Sequence, residues 1–187
     1  MFKTKSHNLI SYKENPYQQV EKICLFANKL RKIIYKKTGI NSNLVFYEFV
    51  FFFYTINDTF LKLTNTPEVI SHKIAPLLFD SLEKTDNPEF KIDVQNIKII
   101  AFFRIKAYRS ILLQYSDKIT TSFYQDSYQF LADLIAYIYI HKEIAGKDYA
   151  PVTGQEWIEM ALFEPLLQKI NRILVKKHDI VLDFLFK

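Results

Sequence analysis

The stretch LVFYEFVFFFYTI, residues 44–56, most restricts what this chain can fold into. Wound as a helix it is apolar on every side, so it must be covered by neighbours and belongs at the centre. Val, Phe and Tyr also favour sheets. The run nevertheless passes ten residues without Gly, Pro or strict alternation, which selects a helix over about 43–63. A second apolar run, residues 130–140, is interrupted by Asp133 as the first is by Glu48. Neither run approaches the ~20 residues that span a bilayer, so no membrane span is expected.

Helix punctuation surrounds these runs. Asn15 and Pro16 open a first helix whose Val20, Ile23, Ala27, Leu30 and Ile34 form one buried stripe, closed by Gly39. Thr66-Pro67-Glu68 starts a third, bent near Pro76, and Asn87-Pro88-Glu89 repeats the start signal. A long fourth segment aligns Ile97, Ile100, Ala101, Arg104, Tyr108, Ile111 and Tyr115 on one face until Ser116 and Asp117 interrupt it. A fifth helix runs to Ile144 and Gly146, followed by a loop over 147–152. Thr153 and Glu156 have capping-box spacing for a sixth, which continues to about Lys177 with a kink at Pro165. The apolar tail DIVLDFLFK is expected to dock, with room for a short seventh helix. Short connections suit antiparallel neighbours. The expectation is one all-α domain over 1–187, a bundle of six main helices, with 1–14 flexible or loosely docked.

Composition narrows the function classes. With 3 Gly there is no nucleotide-binding glycine loop and no nucleophile elbow. A single cysteine, Cys24, excludes an internal disulfide framework and a Cys-based zinc finger, and it fits packing beside the apolar stripe better than nucleophilic chemistry. The start of the chain has no apolar core of signal-peptide length, so a cytoplasmic location is expected. The net charge of +5 is unevenly spread: residues 1–40 carry +7, residues 41–168 carry −5 and residues 169–187 carry +3. Only four cations are Arg, at positions 31, 104, 109 and 172, which argues against base reading.

Several residues are candidates for chemistry. Glu48 and Asp133 sit inside apolar helices, where an unpaired carboxylate costs on the order of 5 kcal/mol, so each needs a partner. Arg104 and Arg109 on the fourth helix are the obvious ones. Glu68 and His72 lie one turn apart, but their spacing occurs once and is not the paired Glu-x-x-His of a helical di-iron site. No metal and no cofactor is expected. Lys22, Lys29, Lys32 and Lys36 lie within about 80° on the first helix, and Lys169, Arg172 and Lys176 do likewise on the last. If those helices are neighbours they form one positive face for an acidic protein or, less fittingly, for nucleic acid. Tyr124 and Tyr128, one turn apart, suit a binding surface.

Arg172 and His178, with five residues between them (RILVKKH), form a spacing that resembles the HEPN superfamily of all-α ribonucleases. The resemblance covers these seven residues. It departs at Ile173, since a polar residue usually follows the Arg in that family, whereas here Asn171 precedes it. It implies RNA cleavage or binding, with His178 moving a proton and Arg172 meeting the phosphate charge.

The chain lacks every other recognisable catalytic set. The expected function is therefore a non-catalytic interaction protein, of regulator, inhibitor, immunity or adaptor type, acting on another macromolecule, with self-pairing left open. The alternatives are the HEPN-like reading and a binder of small apolar ligands among Phe49, Phe52 and Phe53.

Overall fold

The computed structural model describes residues 15–63, 68–83, 94–116, 118–145 and 164–186. Among them are seven helices and no strand: α1 Pro16–Thr38, α2 Asn43–Leu63, α3 Glu68–Glu83, α4 Val94–Gln114, α5 Thr121–Ala145, α6 Glu164–Lys176 and α7 His178–Phe186. The all-α bundle read from the sequence is what the chain adopts.

Local chemistry sets the first helix. The Asn15 side-chain oxygen accepts from the Tyr17 N–H at 3.1 Å, while the Asn15 N–H donates to Gln18 Oε1 at 2.9 Å. This reciprocal cap satisfies donors that the first turn leaves open. At the other end Gly39 adopts φ 78°, and its N–H donates to the Tyr35 carbonyl at 2.8 Å. Between the caps Val20, Ile23, Ala27, Leu30 and Ile34 are all buried, as their spacing requires.

Around α2 the core closes. Val45, Tyr47 and every residue from Glu48 to Thr59 are buried, and α2 packs against α1, α3, α4 and α5. Leu44–Leu63 is long and apolar enough, by length and composition, to cross a bilayer, yet 78% of it is buried within the bundle. The sequence count ended that run at Ile56. The helix runs on to Leu63, as expected, and Asn57 and Asp58 beyond the apolar run are buried as well. Rings fill the centre: Phe52 lies 5.6 Å from Tyr108 and 5.9 Å from Tyr128, and Phe53 lies 4.7 Å from Phe184.

α6 packs along α5, and α7 lies against α1. The expected sixth helix is described from Glu164, with Pro165 in its first turn, and it ends at Lys176. The chain then turns at Lys177, and the apolar tail forms α7 as a separate short helix with Ile180, Val181 and Phe184 buried. The N-terminal segment 1–14, the Thr66-Pro67 and Asn87-Pro88 signals, the 147–152 loop and the Thr153–Glu156 cap lie outside the described residues. So do the side chains of Glu68, His72 and His141.

Candidate functional site

Two buried carboxylates, Glu48 and Asp58, each take a cationic partner from α4. Glu48 on α2 accepts from Arg104 Nε on α4 at 3.0 and 3.1 Å through its two oxygens, both side chains being withdrawn from solvent. Burial raises the Glu48 carboxyl above its ordinary range, and Arg104 pulls it back. Tyr108, one turn along α4, is fully buried with no hydrogen-bond partner for its hydroxyl among the described residues, and burial beside Glu48 drives its ionisation far upward. Arg109 does not serve Glu48 or Asp133. Its Nη2 meets Asp58 at 3.0 Å, and Lys62 reaches the same oxygen at 2.9 Å.

Asp133 corrects the expectation of an arginine partner. It is half-buried on α5 and accepts from Gln129 Nε2 at 3.0 Å; Gln129 Oε1 in turn accepts from Asn171 on α6 at 2.8 Å. Arg104 and Arg109 are both engaged with α2, which leaves a neutral amide for this carboxylate. Burial pushes Asp133 up to about 6.

The structure brings Tyr124, Tyr128 and His178 together. The Tyr128 hydroxyl lies 2.7 Å from His178 Nδ1, and the Tyr124 ring sits edge-on to the imidazole at 4.6 Å. Burial lowers the His178 pKa, with Asp179 opposing the shift. Arg172 has different company: its Nη2 donates to Gln168 Oε1 at 3.3 Å on the exposed side of α6. The HEPN-like pair therefore divides. The imidazole turns toward α5, whereas Arg172 lies on the face of α6 opposite its buried Ile170 and Leu174.

That exposed side forms one wall of an open groove of about 350 Å³, lined by Lys37, Pro165, Gln168, Lys169, Arg172, Ile173 and Lys176. Three of its cations were singled out by spacing, and Lys37 was not. The stripe expected on α1 does not line it. Lys22 lies over the Phe184 ring at 5.7 Å, Lys29 lies over Phe26 at 5.5 Å, and Lys32 and Lys36 are exposed. The α1 cation that reaches α6 is the one flanking the buried stripe, not those opposite it.

Sequence reasoning missed a surface on α4. Ile97, Ala101, Tyr108 and Leu112 face inward, as the periodicity requires. The opposite face is apolar as well: Ile99 is 55% exposed, Phe102 64%, Phe103 58% and Leu113 64%. The two Phe rings meet edge-on at 5.6 Å. α4 contains no Asp or Glu, and Lys106 lies on this outward face among the apolar side chains. Large apolar residues on both faces of the helix were the available signal, but they read equally as a buried helix.

Other chemistry finds little support in the geometry. Burial raises the Cys24 thiol to about 11, which leaves little thiolate near neutrality. Among the described residues no three His, Cys, Asp or Glu side chains gather into a metal site. Phe49, Phe52 and Phe53 are fully buried, and the rings of Phe52 and Phe53 pack against other rings. No family model, curated protein or solved structure matches the chain.

Proposed function

We propose that the chain is a non-catalytic interaction protein, of regulator, inhibitor, immunity or adaptor type, that binds a protein partner through the outward face of α4. The observation that carries this reading is the exposure of Ile99, Phe102, Phe103 and Leu113 on one helix. Large apolar side chains grouped on a surface mark interaction sites, and their burial against a partner is favourable at about 25 cal/mol per Å². The partner's chemistry follows from the charge: an apolar stripe bordered by carboxylates, to meet Lys106 on a helix without an acid. A second copy of the chain fits worse, because pairing α4 with α4 sets Lys106 against another acid-free helix.

Affinity capture from the native host, with the wild type and a Phe102→Ser/Phe103→Ser variant side by side, tests the reading. A partner should be retained by the wild type and lost by the variant, with the melting temperature little changed because both rings are exposed. A partner held equally by both proteins would overturn it. So would RNA turnover by the purified protein that disappears in His178→Ala.

A further inference from the structure

The groove between the C-terminal end of α1 and α6 involves none of the α4 residues. We propose that it is a binding site for a compact polyphosphate anion, such as a pyrophosphate or triphosphate group. Lys37, Lys169, Arg172 and Lys176 converge on about 350 Å³, and none of the lining residues is Asp or Glu. Four like charges around one small concavity repel one another, and a concave wall concentrates their field, so an anion of high charge density relieves the strain.

Arg172 is held ready for such a ligand. Its Nη2 donates to Gln168 Oε1 at 3.3 Å, and Gln168 Nε2 donates to Glu164 Oε1 at 2.8 Å. Glu164, Gln168, Arg172 and Lys176 follow one another at steps of four along a single ridge of α6. One N–H of the guanidinium is spent on this brace, and the remaining planar donors can meet phosphate oxygens in pairs.

Size and lining define the ligand class. The volume lies at the low end of the ~300–1,000 Å³ of small-molecule sites. The other walls are aliphatic, from Pro165 and Ile173, with no aromatic ring on which a base could stack. Recognition therefore rests on the phosphates. An acidic peptide spreads single charges along its length and matches four converging cations poorly. An RNA strand needs cations that continue beyond the groove; on α1 Lys32 and Lys36 are exposed, but Lys22 and Lys29 are laid over Phe184 and Phe26, which interrupts a track along the helix.

Calorimetric titration of the full chain with sodium tripolyphosphate at low ionic strength tests the assignment. Saturable one-to-one binding is expected, weakened by added salt. Arg172→Gln should lose about tenfold or more in affinity. Gln168→Leu, which releases the brace without changing charge, should lose less. Lys73→Gln, on an exposed α3 position outside the groove, should stay within about twofold. Equal losses for Arg172→Gln and Lys73→Gln would reduce the effect to net charge and overturn the proposal, as would the absence of saturation. Tighter binding of a single-stranded RNA that Lys22→Gln and Lys29→Gln weaken as much as Arg172→Gln would replace the compact site with an extended track. Lys73, Gln168 and Arg172 are exposed, so unchanged melting temperatures should accompany their variants.

Discussion

Glu48 meets Arg104 because neither can be left alone in the core. Removing one partner strands the other charge, so Glu48→Leu should cost about 3–5 kcal/mol in urea denaturation. Glu48→Leu with Arg104→Leu should return most of that loss, since an apolar pair of similar bulk avoids the desolvation altogether. Asp133 gives the opposite kind of test. It ionises at 3.8 when unperturbed and at about 6 in the folded protein. Across that interval the folded chain holds a proton that the unfolded chain has released. Its contribution to stability therefore falls as pH rises through the window and stays lost above it. Asp133→Asn should be more stable than the wild type near about pH 7 and equal to it near about pH 4. The need for a partner at Glu48 was legible, because a carboxylate inside LVFYEFVFFFYTI has no other way to be buried. The Asp133 environment was not, because Gln129 and Asn171 reach it through the packing of α5 on α6, which no local pattern encodes.

At the scale of the helix, α1 was legible from end to end. Its cap, stripe and Gly39 are all local signals, and each acts within one turn. Gly39→Ala should cost about 1–2 kcal/mol through the left-handed φ of 78°, since an added Cβ would meet nothing within 4 Å. Phe53→Ala should cost about 3–5 kcal/mol, because its ring is fully buried against Phe26 and Phe184. The end of the sixth helix near Lys177 and a short apolar helix beyond it were also read from the sequence, although no Gly or Pro marks the turn. A limit appears at α4. Periodicity identified its inward face and was silent on the outward one, because nothing in a helix's own sequence says how many neighbours it will find.

For the molecule as a whole, the uneven charge resolves into places. The basic C-terminal segment supplies Lys169, Arg172 and Lys176 to the groove, and the basic first helix supplies Lys37. Much of the charge on α1 instead lies over rings or faces solvent. His178 ties α7 to α5 through Tyr128; in the tautomer whose Nδ1 accepts from the hydroxyl, that hydrogen bond favours the neutral imidazole. Tyr128→Phe removes that donor and should raise the His178 pKa, measurable by NMR titration.

The separation of Glu48 from its partner also governs how the protein is made. Arg104 follows 56 positions later in the chain. At about 5–20 residues per second of synthesis, roughly 3–10 seconds pass between the two leaving the ribosome. During that interval α2, the helix most dependent on cover, exists with its carboxylate unmatched. Of its described packing neighbours, only α1 and α3 have been made by then. A nascent chain with residues up to Glu83 outside the ribosome should accordingly depend on holding chaperones to stay dispersed, and one with residues up to Gln114 outside should depend on them far less.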